Sequence, residues 1–223
     1  MDNETKITYY GQSLFVIESQ SSIKIGIDPY GKFTRPVLPS LTADIVLITH
    51  NHPDHANISL FRGGPTVIKV PGITNVKGID IEGIPTYHDN LRGFLRGKNI
   101  IFKFEVDGIV FAHLGDIGLI PAEEVINKLL NVDVLMIPIG GTVTIDYKKA
   151  YEIINEFDPK VVIPMHYREK DSKIKILDNL DNFLNLVKDY KMMGHTYKMM
   201  DHSVSIKKDD LPVNTEIWVL KSS

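Results

Sequence analysis

The sequence predicts a mixed fold, α+β or α/β, in which β-sheets pack together and helices lie outside them. Three observations carry this. Short strand-like segments crowd the first half of the chain, and strands mix with helical segments in the second. The strands are continuously apolar, as in Ile45-Val46-Leu47-Ile48 and Val161-Val162-Ile163, so both of their faces must be covered. No linker, low-complexity tract or short repeat divides the 223 residues, so 1–223 reads as a single domain able to bury a proper core.

Taken in order, Ile7-Thr8-Tyr9-Tyr10 is a strand that stops at Gly11, and Leu14-Phe15-Val16-Ile17 one that stops at the polar turn Ser19-Gln20-Ser21-Ser22. Ile23, Ile25 and Ile27 alternate with Lys24 and Gly26, the period of a half-buried strand. Tyr30 to Ser40 is an irregular, proline-punctuated loop with Lys32 and Arg35, expected to overhang the site described below. Asp44 to Ile48 is a short buried strand, and at most a short helix follows His55 before Gly63-Gly64-Pro65. Thr66 to Val70, Ile79 to Thr86, Ile100 to Glu105 and Ile109 to His113 are further strands, with Asp107-Gly108 as the hairpin turn between the last two. Pro121 to Leu130 is a helix with Pro at its start and acids in its first turn. Val132 to Ile139 is a buried strand. Asp146 to Phe157 is an amphipathic helix, because Tyr147, Ala150, Tyr151, Ile154 and Phe157 recur at helical spacing. Lys160 to Pro164 is a strand, Ile174 to Tyr190 the longest helix, and Val204 to Ile206 and Ile217 to Leu220 close the chain as strands. Trp218, Met192-Met193 and Met199-Met200 read as packing, Lys207-Lys208-Asp209-Asp210 as a solvated turn, and His195 and His202 as surface residues.

Composition narrows the chemistry. Hydrophobic residues make up 43% and charged residues 24%, an ordinary globular balance. A net charge of −3 offers no basic field for nucleic acid or an anionic membrane. With 0 Cys there is no disulfide, no cysteine nucleophile and no thiolate ligand, so any metal must be held by His, Asp or Glu, which suits zinc, manganese or iron. No apolar run reaches membrane-spanning length, and Met1-Asp2-Asn3-Glu4 does not resemble a signal peptide. A cytoplasmic enzyme is the expectation, and a homo-oligomer is compatible with it.

Thr49-His50-Asn51-His52-Pro53-Asp54-His55 directly follows the buried strand and packs three histidines and one aspartate into six consecutive positions. In an extended segment residues two apart point the same way, so His50, His52 and Asp54 can face one point while His55 reaches in as the chain turns. His88, Asp116 and His166 each sit just past an apolar strand. If those strands share a sheet edge, their loops converge; taken alone, each residue has an ordinary reading as part of a loop.

With these residues in place, the sequence resembles the metallo-β-lactamase superfamily, whose HxHxDH motif stands here as His50 to His55. Within it the chain is similar to the metal-dependent hydrolases related to L-ascorbate-6-phosphate lactonase. Supporting segments are Gly26-Ile27-Asp28-Pro29-Tyr30, Gly115-Asp116, Pro138-Ile139-Gly140-Gly141 and Ile163-Pro164-Met165-His166-Tyr167, so the likeness covers Ile7 to Tyr167. The resemblance implies a four-layer αββα sandwich of two mixed sheets flanked by helices. It implies that His50, His52 and His88 hold one divalent ion, that Asp54, His55 and His166 hold a second, and that Asp116 bridges them. Zinc is the first expectation, with manganese or iron as alternatives. Asp28 would be a buried support, and His113 would orient a ligand or the Asp116 turn, unless it is a satisfied core histidine. Gln12 stands where this branch often has His, which could loosen that support. Asp89-Asn90-Leu91-Arg92 replaces a Ser-rich stretch, and Gly141 a polar residue.

Two such ions about 3.5–4 Å apart share a hydroxide at neutral pH, and Asp54 or Asp116 can take or relay the proton. The expected activity is hydrolysis of a small anionic ester, lactone or phosphodiester. Arg92, Arg96, Lys98, Tyr167 and Arg168 flank the ligand motifs and are candidate substrate anchors, each with an ordinary reading as a solvated loop residue. Alternatives are an iron-dependent redox enzyme on the same scaffold, a nuclease of the RNase Z kind and a non-catalytic metal-binding protein. The intact His50 to His55 motif disfavours the diiron redox version, which replaces a motif histidine by a carboxylate. The acidic net charge disfavours the nuclease.

Overall fold

The computed structural model of the chain describes residues 4–35, 40–189 and 194–223. The strands are β1 (Thr5–Tyr9), β2 (Phe15–Glu18), β3 (Lys24–Ile27), β4 (Leu41–Thr42), β5 (Ile45–Leu47), β6 (Phe61–Arg62), β7 (Thr66–Ile68), β8 (Gly72–Val76), β9 (Ile79–Tyr87), β10 (Lys98–Val106), β11 (Ile109–His113), β12 (Val134–Pro138), β13 (Val161–Met165), β14 (Thr196–Met200), β15 (Ser203–Ile206) and β16 (Glu216–Leu220). The helices are α1 (Glu123–Leu129), α2 (Tyr147–Phe157) and α3 (Leu180–Asp189).

Two mixed sheets face each other, one of order β15-β1-β2-β3-β5-β7 and one of order β14-β16-β13-β12-β11-β10-β9-β8. Ile7, Phe15, Ile17, Ile25, Ile45 and Leu47 of the first meet Phe102, Phe104, Phe111, Met136 and Ile163 of the second in the central core. The other face of the larger sheet packs under α1, α2 and α3 through Leu135, Ile137, Ile153, Ile154, Phe183 and Val187. The continuously apolar strands are thus covered on both faces, as their sequences require. The outer face of the smaller sheet is closed by Tyr30, Leu60 and Phe61, from a loop, a 3-10 turn and the short β4–β6 ribbon.

Most expected elements stand, and the differences have local causes. The helix expected from Ile174 begins only at Leu180, where Asn179 Oδ1 accepts from Asn182 N at 3.1 Å. Upstream, backbone bonds leave the segment: Lys173 N donates to Thr34 O at 2.9 Å and Asp178 N to Gly140 O at 2.8 Å. A helix there would forfeit both. The Tyr190 end of that helix, Met192-Met193 and residues 36–39 of the proline loop lie outside the described residues. β8 and β14 were not expected; both are edge strands with exposed positions, which carry little apolar signal. Met199, read as packing, is 57% exposed on β14, while His195, read as surface, is buried with its ring 5.6 Å from that of Tyr151. No helix among the described residues is long and apolar enough to cross a membrane.

Candidate metal centre

Sheet topology brings the ligand-type residues to one edge. β9 is antiparallel to β10, and β10 to β11, so β9 points the same way as β11, β12 and β13. Their C-terminal ends therefore share an edge, with His88 after β9, Asp116 after β11 and His166 after β13. In the facing sheet β3 and β5 are parallel, so Asp28 and the Thr49–His55 loop emerge together. Backbone bonds stitch the two edges: Ile100 N donates to Thr49 O at 2.9 Å and His166 N to Gln12 O at 2.7 Å.

The loop itself divides the cluster. His52 O accepts from His55 N at 3.0 Å, so the chain turns after His52 and brings Asp54 and His55 to another side of the cluster, the His55 ring staying 4.2 Å from that of His50. Two groups of ligand atoms result, His50/His52/His88 and Asp54/His55/His166, each with its atoms within 4.8 Å of one another. Asp116 stands between them. Its Oδ2 lies 3.2 Å from His88 Nε2 and 3.8 Å from His50 Nε2 on one side. On the other it lies 3.3 Å from His55 Nε2 and 3.2 Å from His166 Nε2.

Hydrogen bonds decide which ring nitrogens face the cluster. Asp28, fully buried, accepts from Thr49 N at 2.8 Å, from Thr49 Oγ1 at 2.6 Å and from His55 Nδ1 at 2.8 Å. His55 therefore carries its proton on Nδ1 and turns the lone pair of Nε2 inward. Because the Thr49 hydroxyl proton is spent on Asp28, its oxygen accepts from His50 Nδ1 at 3.0 Å, which leaves His50 Nε2 free as well. Asp28, His50 and His55 also lie close enough to suggest a third metal group, but both oxygens of Asp28 are already engaged, so it acts as a support. His113 joins both of its sequence readings. It is buried and satisfied, Nε2 donating to Ser13 O at 3.0 Å and Nδ1 accepting from Gly115 N at 3.2 Å, and so it props the turn that aims Asp116. Gly115 has φ +57, and a Cβ there would stand 2.4 Å from Asn99 Oδ1, the acceptor for Asp116 N.

Gln12 does not loosen the site. Its Nε2 donates to Asp54 Oδ2 at 3.1 Å, and its N donates to Glu169 Oε2 at 3.1 Å. Glu169 is in turn paired with buried Arg35 at 2.7 Å. Gln12, Asp28 and His166 all take left-handed φ, at 56°, 49° and 52°. Such conformations cost about 1–3 kcal/mol and persist only where the surroundings impose them.

The electrostatics fit divalent cations. Burial, and then the neighbouring His55, push His50 down to about 3, so its imidazole stays neutral. Burial opposes charge on His55 and His166 too, but Asp116 outweighs it, with Asp28 adding to the pull on His55; His55 is raised well above its ordinary value and His166 to about 9. Burial likewise opposes charge on Asp116, yet His166 and His55 hold it well below the usual carboxylate range. Carboxylates among this many imidazoles call for positive charge, from protons on His55 and His166 or from cations between them. Buried His50 Nε2, His55 Nε2, His166 Nε2 and Asp116 Oδ1 have no hydrogen-bond partner among the described residues, an arrangement that costs stability unless a cation meets it.

Residues 6–166 match the family model described as a beta-lactamase superfamily domain. The chain belongs to the beta-lactamase superfamily. Within the superfamily it groups with the UPF0173 metal-dependent hydrolases. The one from Carboxydothermus hydrogenoformans is 30% identical over 73% of this chain and 84% of its own length. The one from Nanoarchaeum equitans is 31% identical over 73% and 83%. A crystal structure from Thermotoga maritima, assigned to the Zn-dependent hydrolases of the metallo-beta-lactamase superfamily, is 32% identical. It covers 97% of this chain and 100% of its own, with a TM-score of 0.77.

A cavity of about 330 Å³ opens over the ligand cluster of this superfamily member, lined by His52, Asp54, His88, Asp116 and His166. Of the five expected anchors, Arg96 alone lines it. Tyr167 must be corrected: the chain reverses at His166, and the next side chain falls on the helix side, buried at 7% exposure in that core. Arg168 is exposed, with its N tied to Asp178 O at 2.8 Å. Lys98 lies within β10 opposite Tyr87, and Arg92 at a turn with φ 56°, so neither reaches the cavity. Sequence reasoning missed Val143 and Lys173 to Ile176, which no motif marks. Phe33 does line the cavity, as expected of its loop.

Proposed function

We propose that the chain is a hydrolase that works with two divalent ions, zinc or manganese, on a small anionic ester, lactone or phosphodiester. The observation that carries this reading is Asp116 Oδ2 between two groups of inward-facing ligand atoms. In it His50, His52 and His88 hold one ion, Asp54, His55 and His166 the other, and Asp116 both. Zinc is favoured by the assignment of the Thermotoga maritima relative. When bound, such a pair supplies Lewis acidity and activates water at neutral pH.

The chain's own groups divide the remaining work. Asp28 and Thr49 hold His55 and His50 in the tautomers that face inward. Asp116 is enclosed at 2% exposure and spends its charge on joining the groups. Asp54 is more open and has only Oδ2 tied to Gln12, so its Oδ1 is the oxygen that can take up a proton at the cavity floor. Arg96 faces the negative charge of the substrate.

Metal analysis of purified protein, followed by a screen of lactones, phosphodiesters and phosphorylated sugars, tests the reading. Two ions per chain and activity lost on chelation are expected, with His50→Ala inactive but folded by circular dichroism. Full activity in His50→Ala and Asp116→Ala would sink it.

A further inference from the structure

The space over the cluster forks at His88. The larger arm, about 330 Å³, runs between Phe33, Ile174 and Ile176. The smaller, about 180 Å³, passes Arg96 and ends at Thr142, Thr144 and Lys149. His88, Arg96 and Val143 line both.

The larger arm is apolar where a ligand would lie. Phe33 is 74% and Ile176 63% exposed. Covering such a side chain removes apolar surface from water, so an apolar ligand group is favoured there. Lys173 and Lys175 line the same arm, but Lys173 Nζ donates to Lys32 O at 2.9 Å and Lys175 Nζ to Lys170 O at 3.2 Å. Their aliphatic stems add to the apolar wall, while their ammonium groups keep their charge and are drawn toward those carbonyls at its edge.

The smaller arm is polar and positive. Asp89 lines it, but its carboxylate is consumed by four backbone donors, Leu91, Gly93, Leu95 and Arg96, at 2.7 to 2.9 Å. That fixes the loop carrying Arg96; the carboxylate stays ionised, and its one negative charge is outnumbered by the positive charges of Arg96 and Lys149. Arg96 and Lys149 make no ion pair among the described residues.

We propose that the substrate is an amphiphilic anion whose scissile bond sits at the fork. Its acyl or aryl group lies in the larger arm, and its anionic group lies in the smaller one against Arg96 and Lys149. Water adds across the bond, one product leaving with the apolar group and the other with the anion. The inference rests on the hydrolase reading and adds to it which end of the substrate each wall takes.

Binding of amide probes to zinc-loaded protein, with the zinc content and the intactness of each probe measured on the same sample, tests it by calorimetry. N-octanoylglycine carries both features, N-acetylglycine only the anion, and octanamide only the chain. N-octanoylglycine is expected to bind at least about tenfold more tightly than N-acetylglycine, the worth of two buried methylenes, and more tightly than octanamide through its carboxylate. Phe33→Ser with Ile176→Ser should erase its advantage over N-acetylglycine, and Arg96→Gln with Lys149→Gln its advantage over octanamide. Equal binding of all three, or none, by fully zinc-loaded protein overturns the inference and leaves the hydrolase reading standing. A chain that takes up neither zinc nor manganese overturns the hydrolase reading instead.

Discussion

The two groups of ligand atoms are backed very differently. Behind Asp54, His55 and His166 stand Asp28 on His55 Nδ1, and Gln12, which bonds both Asp54 and the backbone of His166. Gln12 is itself held by the buried Arg35–Glu169 pair. Behind His50, His52 and His88 there is less. His50 leans on a neutral hydroxyl and His52 is half-exposed, while the Nδ1 of His88, like that of His166 in the other group, has no hydrogen-bond partner among the described residues. A carboxylate behind a ligating imidazole makes it more basic and fixes its orientation, and such supports are worth about 10–100-fold in metal affinity. The Asp54 group should therefore keep its ion when the His50 group has given up its own.

The largest effect should erase the comparison. Asp116→Ala removes the carboxylate between both groups, and kcat/KM should fall by about 10³-fold or more, roughly 4 kcal/mol, with both ions lost on dialysis. Retention of two ions would show that Asp116 joins nothing. Asp28→Ala should weaken the ion of the Asp54 group by about 10–100-fold, and that of the His50 group less because His50 loses only the fixed orientation of the Thr49 hydroxyl, in a zinc titration by calorimetry. It should also lower Tm, because Thr49 N and Oγ1 lose their acceptor, at about 1–3 kcal/mol for each buried group left unpaired. Equal weakening of both ions would break the comparison. Gln12→Ala should act in the same direction but at the low end of that range, about tenfold, since an amide polarises Asp54 less than a carboxylate polarises an imidazole. Stepwise chelation of the unaltered chain sharpens the point: the first ion to leave should restore the His50, His52 and His88 proton resonances to their metal-free positions. The smallest effect lies at the rim. Asp89→Ala should speed hydrogen exchange at the amides of Leu91, Gly93, Leu95 and Arg96 while leaving metal content unchanged.

The floor of the site was legible in the sequence far more than its rim. His50, His52, Asp54, His55, His88, Asp116 and His166 each follow an apolar strand closely, and parallel strands deliver their ends to one edge. Arg92, Lys98, Tyr167 and Arg168 were judged by closeness in sequence to a ligand, and that measure fails where the chain reverses. Tyr167 adjoins His166 yet lies in the core under the helices. Ile174 and Ile176 looked like the start of a helix because their spacing allows one, but cross-chain backbone bonds of Lys173 and Asp178 hold that stretch open over the cavity. Gln12 read as a weakness because its residue type was judged without its partners.

The sequence by itself determined the layered mixture of sheets and helices and the residues able to meet a cation. Those follow from the pattern of buried strands and from which side chains can donate electron pairs in a chain without cysteine. The split of the short motif into two groups was already implied by its resemblance, while tertiary structure alone decided the tautomers of His50 and His55, the role of Gln12 and the fork in the cavity. Each of these depends on hydrogen bonds or packing between segments far apart in the chain, which no local pattern records.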